Sequence, residues 1–434
     1  MLRLCLVSCV MWGTAAAEGL SMADKAAVFQ HDMEARFLLE GQALCKLKLP
    51  TANRDFVAYN MPDNAYMTGI YLGTLAMKYA LTHDPKDKAA AQQCIRALHL
   101  LFTVSGKKGL LARAAWPADK PMEDDGIWRL SPDGVYKWRG DVSSDQVNGA
   151  LFGYPLAYDL VADEDDKALI AGDVAAVTDY ILENDLRIVG YDGKPTQWGK
   201  YYPRYVKSWE KMNALLWLQV LKVAHHVTGQ ERYAEAYRKW AVDEGYAALA
   251  VGARRMLNPA IPGVVNHDDD VSIFLAYDPL LRYETDPDLR RFFVESLRRA
   301  WEGNEKYPGV KPEANPLFAF TAAKYLGDAS GVKPAIDTLR WFPLDMKWNR
   351  ATVAKYEKEL GFAFDPAPKS PEPQAGKPVP VDRRVKMWSA WVNDPYHTAG
   401  DRSADHPMEF NGHDYLLGYW MGRYFGLIDV DGTR

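Results

Sequence analysis

Residues 208–229 read SWEKMNALLWLQVLKVAHHVTG. Apolar side chains fall at Trp209, Met212, Leu216, Val220, Val223 and Val227, the 3.6-residue spacing of one helix face. Ser208 stands where a capping side chain accepts free backbone N–H groups, and Gly229 stands where a helix ends. The segment therefore predicts a helix over 209–227. Asp286-Pro287 marks another start, an acid at the cap before a first-turn proline, with Leu289, Phe292, Phe293, Leu297 and Trp301 as its buried stripe. Helical patterning also covers 22–47, 62–83, 88–104, 144–161, 165–186, 231–250, 269–284, 314–327, 332–340 and 413–426. Strand signals are scarce. Asp192-Gly193 suggests a small hairpin, residues 106–142 read as a long loop, and 364–381 form a Pro-rich linker.

The helices follow one another as antiparallel pairs, many joined by short turns, without a short repeat signature. Paired helices in this number close into an all-α toroid of six or seven helical hairpins, with irregular loops lining a cleft at one end. A solenoid is the alternative, and the long inserts between pairs favour the toroid. One such domain is expected over residues 18–434.

The first residues, MLRLCLVSCVMWGTAAAEG, place one Arg before an apolar run and then Ala15, Ala16 and Ala17. This predicts a signal peptide over 1–17 and a secreted or periplasmic protein. The apolar run is too short for a stable membrane span. Leu6 to Cys9 also resembles a lipobox, so lipid attachment at Cys9 is the alternative. Cys45 and Cys94 remain after cleavage, either paired or as two buried thiols. The 434 residues carry a net charge near −5, which argues against nucleic acid as a partner. The 14 Trp and 24 Tyr suit partly wet clefts as well as cores, and a saccharide groove is one such place.

Three stretches concentrate polar chemistry. In WRGDVSSDQ, Trp138 to Gln146, Ser143 and Gln146 have capping-box spacing and Asp145 suits a helix start. Asp141, Arg139 and Trp138 are not explained that way. TQWGKYYPRY, Thr196 to Tyr205, crowds Gln197, Trp198, Lys200, Tyr201, Tyr202, Arg204 and Tyr205 together. Arg can grip a carboxylate with two N–H groups, and a tuned Tyr can act as acid or base. In VVNHDDDVSIFLAY, Asn266 and His267 precede a helix whose first turn holds Asp268, Asp269 and Asp270. No second His at i+4 supports a metal, and no metal or other cofactor is expected. A further polar loop offers Arg402, His406, His413, Asp414 and Arg423. Nucleophile-elbow, phosphate-loop, dinucleotide and HExxH patterns are absent.

At these motifs the chain resembles a secreted bacterial family of α/α-toroid proteins marked by WxGDxSSDE, a TRWG-like loop, NHSDD and a terminal YWMGRY. The matching residues are Trp138 to Gln146, Thr196 to Gly199, Asn266 to Asp270 and Tyr419 to Tyr424. The likeness covers most of residues 60–425 and departs at Gln146, where Glu is expected, and at Asn148, where His is expected. More broadly the chain is similar to toroidal polysaccharide lyases and six-hairpin glycosidases, a fold-level analogy.

The leading expectation is a lyase cleaving an acidic, uronate-containing polysaccharide by β-elimination. Arg204, Asn148 or Asn266 would neutralise the uronate, His267 would be the base, Tyr202 or Tyr201 the acid or the base, and Asp141 and Asp145 would orient them. Trp138, Arg139, Trp198, Lys200 and His413 complete the expected substrate contacts. The first alternative is a glycoside hydrolase pairing Asp141 or Asp145 with one of Asp268 to Asp270. The second is a non-catalytic glycan-binding protein.

Overall fold

The computed structural model describes residues 20–208, 210–255, 266–305, 308–360, 370–384, 391–396 and 407–432. The signal peptide with Cys5 and Cys9, Trp209, Arg402, His406 and the start of the Pro-rich linker lie outside these residues. The α-helices are α1 (Met22–Asp32), α2 (Asn64–Thr82), α3 (Pro85–Thr103), α4 (Ser144–Leu160), α5 (Glu164–Glu183), α6 (Pro203–Ser208), α7 (Met212–Thr228) and α8 (Glu231–Arg238). They continue with α9 (Tyr246–Ala250), α10 (Asp268–Tyr283), α11 (Pro287–Glu302), α12 (Pro316–Leu326), α13 (Val332–Trp341), α14 (Arg350–Leu360) and α15 (His413–Tyr424).

The packing order is that of a toroid. Helix α2 packs on α4, α4 on α7, α7 on α10, α10 on α12, α12 on α15, and α15 returns to α2, so six inner helices close a ring. Each has an outer partner: α3, α5, α8 with α9, α11, α13 and, for α15, the N-terminal α1. The expected all-α toroid is thus present, with six hairpins. The sixth joins the two ends of the described chain. Because an outer helix separates each inner one from the next, all inner helices run the same way.

Two inner helices approach unusually closely. A Cβ added at Gly69 on α2 would lie 2.1 Å from the Gly149 carbonyl oxygen on α4, and one at Gly153 would lie 1.9 Å from that of Gly69. Only glycine permits this backbone-to-backbone contact. It fixes the start of α2 beside the start of α4.

Four local expectations change. Ser208 does not cap α7 but ends α6, and Lys211 stands at the N-cap of α7. Residues 22–47 are not one helix: after α1 and a π-helical turn over Met33–Phe37, Glu40 and Gly41 adopt φ of 51° and 76° and reverse the chain. Strands β1 (Leu38–Leu39) and β2 (Gln42–Ala43) form that hairpin, and β3 (Lys46–Lys48) pairs with β4 (Ala58–Asn60). Residues 106–142 contain an antiparallel sheet, β5 (Ala114–Pro117), β6 (Trp128–Leu130) and β7 (Tyr136–Arg139), with β7 in the middle. Residues 231–250 break at Gly245, where φ is 74°, between α8 and α9. The predicted hairpin forms from β8 (Arg187–Val189) and β9 (Pro195–Lys200) around Gly193. Strand β10 (Met408–Phe410) adds to β3. Cys45 and Cys94 are both free thiols. Among the described residues, no helix is long and apolar enough to cross a membrane.

Candidate active site

All inner helices present their N-termini at one mouth of the ring, so the positive ends of their dipoles face a common cleft. Acids from three of them gather there. Asp63 occupies the N-cap position of α2, while Asp145 and Asp268 sit in the first turns of α4 and α10. Asp268 is open to water, and Asp63 and Asp145 are half-open, yet each is surrounded by protein on most sides. That combination describes the floor of a cleft.

The three carboxylates act on one another. Asp268 is pushed up to about 7, by burial first and then by the negative charges of Asp63 and Asp145. Asp145 is raised by burial and by Asp63, against a hydrogen bond from Ser143 and the charge of Arg113. Burial also raises Asp63, opposed by Arg113, Arg139 and Lys46. Desolvation and like charge both favour the neutral acid, and at Asp268 no cation opposes them. Asp63, by contrast, receives Arg113 Nη1 at 3.1 Å and Gln146 Nε2 at 2.8 Å on one oxygen. These donors stabilise its charged form.

Local sequence chemistry holds the trio in place. The capping box forms: Gln146 accepts the Ser143 N–H at 2.8 Å. The Ser143 hydroxyl lies 2.7 Å from Gln146 Oε1 and 3.1 Å from Asp145 Oδ2, with one proton to share. Gln146 thus links the start of α4 to Asp63 through its amide. Tyr66, one turn into α2, is held far above its usual range by burial and then by Asp145 and Asp268, with a hydrogen bond to Ser272 of α10. Glu210, just before α7, is raised by burial, accepts the Tyr205 hydroxyl and feels Asp145.

Two inserts wall the cleft beside Asp145: the β5–β7–β6 sheet and the β8–β9 hairpin. Asp141 joins them. Its φ of 56° is left-handed, a region that Asp enters more readily than most residues. Its carbonyl accepts Arg113 Nε at 2.6 Å, and its Oδ1 accepts the Gln197 N–H at 3.3 Å. Between the inserts lies a cavity of about 250 Å³ lined by Arg113, Asp125, Ile127, Arg139, Asp141 and Trp198. Trp198 is 44% exposed there. A larger depression, about 600 Å³, lies on the outer face of α11, far from these acids.

Other residues expected at the site are elsewhere. Trp138, at 1% exposure, is a core residue of β7 rather than a substrate contact. Asn148 is buried and donates to Gln219 of α7 at 2.7 Å. His413 is buried against Thr74 of α2 at 3.2 Å and pushed down to about 3, chiefly by burial. Tyr201 is fully buried against Trp217, and burial holds its hydroxyl well above its usual range. Each lies on an inward face of a strand or helix, which a motif read as a list of residues does not reveal.

The remaining candidates are nearer the rim. Arg139 pairs with Asp124 at 2.6 Å. Tyr202 lies under the Arg187 guanidinium, 4.0 Å from its ring centre. Lys200 sits over Tyr205 at 5.4 Å, Arg204 is exposed on α6, and Asn266 donates to Asp269 at 2.8 Å.

His267 belongs to a separate cluster. Among the described residues, the group of ligating side chains whose atoms all lie within 4.8 Å is His267, Asp270 and Glu313. A guanidinium already fills it: Arg255 reaches Asp270 at 2.6 Å, Glu313 at 2.7 Å and His267 Nδ1 at 3.1 Å. A metal would need Arg255 to leave. Since Arg only donates, Nδ1 of His267 is the acceptor, and burial followed by Arg255 pushes the imidazole down to about 4. Its Nε2 is 3.7 Å from Asp394. Asp63, Tyr66, Arg113 and Glu210 escaped the sequence reading, because none belongs to a crowded motif.

No family model matches this chain, and no curated protein matches it in sequence. Solved structures of similar outline include a metagenome-derived glycoside hydrolase family 9 endoglucanase, 13% identical over 93% of this chain and 81% of that one, with a TM-score of 0.47. Cellobiose 2-epimerase from Spirochaeta thermophila is 13% identical over 93% and 97%, TM-score 0.45. An unsaturated glucuronyl hydrolase specific for heparin is 12% identical over 93% and 95%, TM-score 0.44. At these scores the likenesses carry no chemistry across, and the reading rests on the cleft itself.

Proposed function

We propose that the chain is a glycoside hydrolase whose acid is Asp268 and whose charged partner is Asp63, with Asp145 helping to keep Asp268 protonated. The observation that carries this reading is the gathering of Asp63, Asp145 and Asp268 from three inner-helix N-termini at one mouth, where burial and the other two charges push Asp268 up to about 7. A glycosidase needs one carboxyl group that donates a proton to the leaving oxygen and one that stays ionised. A proton donor works best when its pKa lies near the working pH. Trp198 offers an exposed ring for a sugar face. A leader over residues 1–17 would carry such an enzyme out of the cytoplasm.

The alternative of β-elimination draws less support. Its expected base, His267, already accepts a hydrogen bond from Arg255 and sits at about 4. The deciding experiment offers the purified chain neutral glycans together with alginate, glucuronan and pectate. Reducing ends and the ultraviolet absorbance of unsaturated uronate are followed together. Reducing ends alone are the expected result. Both signals rising would establish a lyase, and binding without either would establish a glycan-binding protein.

A further inference from the structure

Arg129 stands out among the guanidinium groups of the described residues. Partly buried Arg36, Arg54, Arg113, Arg139, Arg255 and Arg282 each meet a carboxylate. Arg129, half-buried on β6, forms no ion pair and no side-chain hydrogen bond among the described residues. It is nonetheless held in place. Its guanidinium lies 5.6 Å from the Trp138 ring centre and 5.8 Å from that of Tyr191. Those two rings meet edge to face at 5.7 Å, one from each insert. Cation–π contacts fix such a group without consuming its N–H donors.

Its position is set by sequence. Arg129 is the cross-strand partner of Trp138, so the two side chains share a face of the sheet. Two residues beyond Trp138 comes Gly140. A Cβ there would lie 2.8 Å from Arg129 Nη1, so the missing side chain leaves room for the guanidinium. Gly140 also lines the 250 Å³ cavity next to Arg113, Asp141 and Trp198. An unneutralised, pre-positioned planar cation therefore stands directly behind Gly140, a wall residue of that cavity. Planar guanidinium groups grip carboxylates and sulfates with two parallel N–H donors.

We infer that Arg129 is a specificity residue that binds the anionic group of an acidic sugar, so that the substrate class is a uronate-bearing or sulfated glycan. The inference rests on the cleft being a glycan-processing centre. Its carboxylate form is tested directly with matched probes. Tetramers of galacturonate, alginate and glucuronate are each compared with a carboxyl-reduced, neutral twin, and a heparin tetrasaccharide covers sulfate. Binding to the full chain is read by tryptophan fluorescence, and turnover by reducing ends in the same samples.

At least one anionic tetramer should bind about 10- to 100-fold more tightly than its neutral twin or, for heparin, its desulfated, carboxyl-reduced twin. Arg129→Gln should abolish that preference and leave the neutral twin within about twofold. Arg129→Lys, which keeps the stem and the charge, should retain part of the preference and guards against loss of fold. A preference that survives in Arg129→Gln, or a wild type that prefers no anionic tetramer, overturns the inference. If the preference depends on Arg129 but no glycan is cut, the anion site stands and the glycosidase reading falls.

Discussion

The two mouths of the helical ring treat their acids in opposite ways. At the C-terminal mouth, Asp159, Asp278 and Glu284 all have donors. Asp159 of α4 meets His226 of α7 at 2.8 Å and the Tyr283 hydroxyl of α10 at 2.7 Å. Asp278 binds Arg282 at 3.0 Å and the Tyr325 hydroxyl at 2.6 Å. Glu284 pairs with Lys222 at 2.9 Å and accepts the Tyr237 hydroxyl. The cations there also complement the negative ends of the inner helices. At the N-terminal mouth, Asp268 feels the negative charges of Asp63 and Asp145, and its proton is held on rather than driven off. Acids with partners lock helices together. Acids facing acids are poised to exchange a proton.

That contrast breaks if the C-terminal pairs prove dispensable for folding. Asp278→Ala should cost about 3 kcal/mol, because it strands the largely buried Arg282 and the Tyr325 hydroxyl. Urea denaturation measures this, and activity per folded molecule should stay unchanged. A loss under about 1 kcal/mol would remove the structural role assigned to that mouth.

The opposite sign is expected at the cleft. The carboxyl of Asp268 has a folded value of about 7, raised above an unfolded value of about 3.9. Its ionisation therefore opposes folding as pH rises from about 4, and the penalty is complete above about 7. Asp268→Asn should raise the melting temperature by about 1–2 °C at pH 8, after allowance for solvent screening at this open group. The gain should fade toward pH 4. Equal or lower stability of the variant at pH 8 would show that Asp268 is not under strain.

Much of the ring was readable from periodicity and caps. Asp286-Pro287 and the Ser143–Gln146 box begin helices where expected, and Gly229 ends α7 in a left-handed turn. Where periodicity failed, a tertiary contact explains the failure: Gly41 turns against α3, where a Cβ would lie 2.8 Å from the Gln93 oxygen. The site was harder. Asp145 and Asp268 were visible because they sit in dense motifs. Asp63 lies in an unremarkable stretch, and only the Gly69–Gly149–Gly153 contact carries it to Asp145. Trp138 and His413 look like cleft residues in a string of letters, but strand alternation and helix phase turn them inward. Arg129 drew no attention because its signal is a missing partner, which only a structure displays.

The central claim is that Asp268 supplies the proton. The most direct measurement is the pH profile of kcat/KM for the wild type and Asp268→Asn on the glycan that the substrate panel identifies. Wild-type activity should fall as pH rises through about 7, and the substitution should lower kcat/KM by about 10²- to 10⁴-fold while the fold remains intact. An Asp268→Asn protein within tenfold of wild type, with the same descending limb, would contradict the account.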